Sequence, residues 1–166
     1  MSLTNRSNMR TAAGDGILDV DGLASKGQNY IIDSNNAIVA VAPVYAIIFP
    51  AVTLAQLNAG LTLIPDIPGR TIQITKYLMI FNGSFTTATD IRLQDSNGTP
   101  VLITTVAIAN ATAAQNASSD VVGTGVTNGA GCFASLTAGR GVKIIQTGSA
   151  AAAGTSILVK LEYNVI

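Results

Sequence analysis

The chain has no histidine, no tryptophan and a single cysteine, and only 11% of its 166 residues are charged, nine basic against nine acidic. Each shortage excludes something. General acid–base work near neutral pH leans on imidazole, so the usual base of a nucleophilic triad is missing. Cys132 stands alone, which rules out an intrachain disulfide and a multi-cysteine metal site. An unpaired thiol fits folding in a reducing cytoplasm, and its plainest role is that of a small core hydrophobe. Without Trp, a sugar-stacking platform would fall to other aromatics. Tyr45, Phe49, Tyr77 and Phe81 sit inside apolar runs and are expected in the core, with Tyr30 and Tyr163 left open.

The nine bases are spread from Arg6 to Lys160, and the closest pair is Arg140 and Lys143. Displacing counterions from a phosphate backbone needs clustered Lys and Arg, so no nucleic-acid partner is expected. No electrostatically held membrane is expected either. The most apolar window, residues 37–49 (AIVAVAPVYAIIF), contains Pro43 and falls short of the roughly twenty residues of a spanning helix, so it predicts buried strands. Residues 1–28 alternate small and polar groups with no apolar stretch of signal-peptide type. On that expectation the sequons at Asn82, Asn97, Asn110 and Asn116 are turns rather than glycan acceptors.

The acids do not form a recognisable site. Asp15, Asp19 and Asp21, followed by Gly22, depart from the ligand spacing of an EF-hand loop. Nothing in the sequence brings two of Asp66, Asp90, Asp95, Asp120 and Glu162 together as a glycosidase pair. Gly123-Thr124-Gly125 lacks the third glycine and the strand–helix setting of a dinucleotide fingerprint. No catalytic, cofactor-binding, metal or nucleic-acid-binding residue is therefore assigned. No cofactor is expected, and the chain does not read as an enzyme.

What is present is apolar: 48% of the residues. Surfaces usually carry about 25–35% charged residues, so a chain this poor in charge is expected to meet other protein over much of its surface. Its length allows one domain plus an extended arm.

Residues 1–36 are rich in Ser, Asn, Gly and Asp, with isolated Ile17, Leu18 and Leu23 and turn dipeptides at Asp15-Gly16, Asp21-Gly22 and Lys26-Gly27. They read as an extended N-terminal arm that orders in an assembly. Residues 37–166 read as an all-β domain, an antiparallel β-sandwich.

Strands are expected over Ala37–Val41 and Val44–Phe49, with Pro43 at an edge or bend. Thr53–Asn58 is the one helical turn, and Leu61–Ile64 a short strand. Thr71–Phe81 starts with Ile72 and Ile74 alternating against Gln73 and Thr75, then turns fully apolar, as a strand entering a two-sided environment would. Asn82-Gly83 signals a tight turn, with a longer connection through Ser84–Thr89 as the alternative. Asp90–Gln94 places Ile91 and Leu93 inward and Arg92 and Gln94 outward. Asp95-Ser96-Asn97-Gly98 turns to a partner strand over Val101–Ile108. Residues 109–131 read as a long loop around a weak strand at Val121-Val122. Val142–Gln146 is a strand, Thr147–Gly154 a small-residue loop, and Ser156–Val165 a strand with Ile157, Val159, Leu161 and Tyr163 on one face and Lys160 and Glu162 on the other.

Three stretches carry a resemblance: Thr53-Leu-Ala-Gln-Leu-Asn58-Ala-Gly60 leading into Leu61–Ile64 and Pro68-Gly69-Arg70; Phe85-Thr-Thr-Ala-Thr-Asp90-Ile-Arg-Leu-Gln-Asp95; and Leu136-Thr-Ala-Gly-Arg140-Gly-Val-Lys-Ile-Ile-Gln-Thr147-Gly, followed by an Ala-rich run and Gly154-Thr155-Ser156. Together, over residues 53–166, the chain resembles the decoration (cement) proteins of tailed-bacteriophage heads. The resemblance implies a β-sandwich or jelly-roll body and a homotrimer on the outer capsid surface of the virion, made in the host cytoplasm. There it would bind the major capsid protein and tie neighbouring copies together, with no catalytic residues. The alternative of a different class is a receptor- or glycan-binding module of a phage tail or fibre, with a cleft in the 109–131 loop.

Overall fold

The computed structural model describes residues 29–32, 38–41, 44–113, 115–120 and 122–166. Two short strands, β1 (Asn29–Ile32) and β2 (Ile38–Val41), pair antiparallel, with Asn29 opposite Val41 and Ile32 opposite Ile38. The first of these falls within the span expected as an arm, and β2 takes its only ladder partner from it. The remaining arm residues, including the turn dipeptides and the acids Asp15, Asp19 and Asp21, lie outside the described residues, as does Pro43.

A separate compact unit runs from Val44 to Ile166. It contains β3 (Val44–Thr53), a short helix α1 (Leu54–Ala59), β4 (Leu61–Ile64), β5 (Ile72–Asn82), β6 (Thr86–Asp95), β7 (Leu102–Ala107), β8 (Asn116–Ser118), β9 (Val126–Asn128), β10 (Val142–Ala152) and β11 (Ser156–Val165). The unit is all-β, with two antiparallel sheets in the manner of a β-sandwich. One sheet has the order β4-β10-β6-β7-β9 and the other β3-β11-β5-β8. Strands pair from the ends of the unit inward: β3 with β11, β4 with β10, β5 with β8 and β6 with β7.

The apolar alternation explains why these segments are strands. In β11, Ile157, Val159 and Leu161 are fully buried while Lys160 and Glu162 point outward, as the sequence predicts. In β6 Ile91 and Leu93 are likewise buried. Gln94, expected outward in solvent, is also buried, because β6 lies centrally between β10 and β7. In β5 the alternation does not dissolve; it changes phase. Ile72 and Ile74 face the core, then Tyr77, Met79 and Phe81 do, while Leu78 and Ile80 are half-buried on the outer face. The switch coincides with a register shift opposite Glu162 and Tyr163, where Lys76 and Ile74 are successive partners. One extra residue in a strand turns every later side chain to the other face.

Other departures have local causes. β10 continues through the expected loop to Ala152, absorbing register shifts on either side of Gly148. Gly148 has φ +76°, and a Cβ there would lie 2.4 Å from the Thr89 hydroxyl oxygen, so glycine is what lets the strand pass. Asn82-Gly83 does not close a hairpin, since β5 and β6 belong to different sheets. The 109–131 region supplies two edge strands, β8 to one sheet and β9 to the other. Val122 lies outside any strand and is exposed.

The helical turn forms where expected. The Thr53 hydroxyl accepts from the Gln56 amide while the Gln56 side chain accepts from the Thr53 amide, a reciprocal capping box. Gly60, at φ +78°, ends the helix in the left-handed conformation and donates to the Leu57 carbonyl. Leu57 is thereby pinned into the core. The two sheets are also joined by polar groups inside the core. The Tyr77 hydroxyl, on β5, bonds Thr104 of β7 at 3.0 Å and the Asn128 side chain of β9.

Candidate functional site

Each carboxylate of the compact unit has a definable partner. Asp95, the last residue of β6, is completely buried and accepts backbone N–H groups from Asn97, Val101 and Thr137 at 3.0–3.2 Å. Asp66, between β4 and β5, accepts from the Ser96 hydroxyl and the Gly141 amide and faces the Arg140 guanidinium at 3.4 Å. Those hydrogen bonds, Ser96 first, hold its carboxyl below the usual value of 3.8. Asp90 pairs with Arg92 at 2.9 Å and accepts from the Thr147 hydroxyl, all three on the outer face of the five-stranded sheet. These three acids are braces between loops and strands.

Asp120 and Glu162 behave differently, for the fold brings them to one groove. It has a volume of about 370 Å³ and is lined by Lys76, Leu78, Ser118, Asp120, Lys160 and Glu162, with Tyr77 beneath. The register explains the grouping: Glu162 of β11 lies opposite Lys76 of β5, and Lys160 opposite Leu78, which lies opposite Ser118 of β8. Opposite charges directly across a sheet attract. Lys160 reaches Glu162 at 2.7 Å and Lys76 reaches Asp120 at 3.4 Å. The Lys160 hydrogen bond, aided by the charge of Lys76, holds the Glu162 carboxyl below its ordinary value. A carboxylate so held is ionised at neutral pH and cannot donate the proton that glycoside hydrolysis asks of its acid. The grouping is a two-plus-two charge lattice in which each lysine is paired with a carboxylate. Sequence reasoning missed it because residues 76, 120 and 162 meet only through the strand pairings.

The aromatics divide. Tyr77 and Phe81 are buried as expected, Phe49 packs partly against the core, and Tyr45 does not belong to it. Tyr45 is 44% exposed at the end of β3, its ring stacked on Tyr163 at 5.4 Å. Burial raises the Tyr77 and Cys132 pKa values above the usual ones, so neither is primed as a nucleophile. Gly123-Thr124-Gly125 forms the turn into β9, with the Gly125 carbonyl accepting from the Ala107 amide.

Among the described residues, no three His, Cys, Asp or Glu side chains gather as a metal site, and no helix is long and apolar enough to cross a membrane. Exposed apolar side chains are instead a feature of this surface: Val44, Tyr45 and Ile48 on β3, with Val122, Phe133 and Ile166 elsewhere. Searches of protein-family models, curated proteins and solved structures found no match to this chain.

Proposed function

We propose that this chain is a virion structural protein, a decoration or cement protein bound to the outer surface of a tailed-phage head, with a jelly-roll body. The observation that carries the reading is the strand order. Pairing from both ends inward, with β3-β11-β5-β8 facing β4-β10-β6-β7, is what two interlocked Greek keys produce, and jelly rolls of this kind recur in capsid components. The charge-poor surface and the exposed apolar residues of β3 support a subunit made to lie against other protein.

In this account the partner is the major capsid protein, and the chain works as a homo-oligomer, a homotrimer on the strength of the resemblance. Residues 1–36 reach across the capsid subunits, while the β-body forms the outer face. Many weak sites repeated on one shell bind together far more tightly than one alone. The same fold class hosts lectins, and the groove beside Lys76 is the observation that favours a receptor- or glycan-binding alternative. Its one aromatic, Tyr77, is buried beneath it and offers no stacking face.

The test is co-sedimentation of the purified protein with heads that lack it, beside a glycan array. Binding to heads and not to glycans is expected; the reverse would favour the tail or fibre module. Removing residues 1–36 should abolish sedimentation with heads while leaving self-association intact. Retained binding would contradict the assignment of capsid contact to the arm.

A further inference from the structure

The compact unit has four sheet edges, and three are closed or short. β8 and the residues bridging at Cys132 and Ser135 cover the edge of β5. β9 is three residues long and lines β7. β4 is four residues long, and where β10 outruns it the Asn58 side chain takes over. The fourth edge is β3. It is ten residues long, among the described residues its only ladder partner is β11, and it carries no charge (VYAIIFPAVT). Natural edge strands are guarded by shortness, lysine, proline or a bulge, because a bare row of N–H and C=O groups recruits another strand. In β3 the only such guards are Pro50 and a register shift beside it, both in the second half. Val44–Phe49 is unguarded.

We infer that a second copy of this chain pairs with that edge, antiparallel, about a two-fold axis through Ala46. The strand is its own complement. Directly opposite residues in an antiparallel pair share a face, so a two-fold must pass through a residue. An axis at Ala46 sets Val44 of each copy against Ile48 of the other, and keeps Pro50 outside the ladder. Val44 and Ile48 are the two most exposed large apolar residues on this strand, at 59% and 58%. Tyr45 meets Ile47 on the other face.

Charge does not oppose the contact. The outward neighbour of Val44 on β11 is Asn164, and that of Ile48 is Lys160, already paired with Glu162. The two Glu162 side chains, beside Ala46 in each copy, stand three strand spacings apart. That is about 14 Å, beyond the ~8–10 Å over which salt screens surface charges. The two four-stranded sheets become one continuous eight-stranded sheet with an isologous seam. A trimer closed through other surfaces would keep each β3 edge free, so on a shell the same seam would link neighbouring trimers. The inference rests on the edge itself and holds whether or not the chain coats a phage head.

Cross-linking tests it in solution, without particles. In the full chain carrying Cys132→Ser, Ala46→Cys places one thiol on each side of the axis, at the ~4.5–5.5 Å Cβ separation of opposite residues, close to disulfide reach. Thr155→Cys, in the β10–β11 turn, reports random collision. Covalent dimers should form at least about tenfold faster through position 46 than through 155. Ile48→Lys should bring the first rate down to the second, and in the unmodified chain should weaken self-association about tenfold or more by sedimentation equilibrium. Since Ile48 is exposed, that variant should still fold, with an unchanged circular-dichroism spectrum. Equal rates at 46 and 155, or a rate at 46 indifferent to Ile48→Lys, would overturn the pairing.

Discussion

A few polar residues hold this charge-poor molecule together, and their roles can be separated by substitution. Asp95, itself fully buried, satisfies three backbone donors at once. Asp95→Ala should therefore cost about 3 kcal/mol, more than an ordinary hydrogen bond, because three charge-assisted hydrogen bonds are lost together. Urea unfolding measures it; a loss under about 1 kcal/mol would show that the turn rearranges freely. Asp66 predicts a pH dependence instead. Its pKa is lowered on folding, so its contribution is present above the ordinary carboxylate value of 3.8 and is lost as pH falls through the folded one. Asp66→Asn should lower the melting temperature most at neutral pH, with the gap to wild type narrowing below about pH 4. A gap that stays constant down to pH 3 would deny the carboxylate that role. Little of this was legible in the sequence. Asp95 leads into a turn the sequence predicts, but its third partner, Thr137, is brought in by the fold.

At the scale of elements, periodicity was legible wherever a strand pairs without a slip. The faces of β11 follow from alternate residues, and α1 follows from Thr53, Gln56 and Gly60. The phase change in β5 was not legible, because it depends on how β11 pairs opposite Lys76 and Ile74. Nor were β8 and β9, whose three residues each hold no period. The length of β10 was hidden by its composition: alanine, serine and glycine read as loop, yet Ala151 is held as in a ladder. Asn58 supplies both halves of that bond, accepting from the Ala151 amide at 2.8 Å and donating to its carbonyl at 3.0 Å. Asn58→Ala should destabilise the unit by about 1–2 kcal/mol and speed hydrogen exchange at the Ala151 amide. Unchanged exchange there would mean that β4 and β6 suffice to hold the strand.

For the whole molecule, the two facts that matter are which surfaces are closed and how few charges decorate them. The fold class was legible from short apolar strands punctuated by turns. The meeting of Lys76, Asp120, Lys160 and Glu162 was not, since it needs three strands in register. The long edge strand β3 and a small charge lattice whose members are already paired with one another support the proposed structural role. Cryo-electron microscopy of tailed-phage particles that carry this chain tests the proposed capsid role most directly. The account predicts density for this β-body on the outer shell, at three-fold or quasi-three-fold positions. Density confined to the tail, or absent from the outer shell, would contradict it.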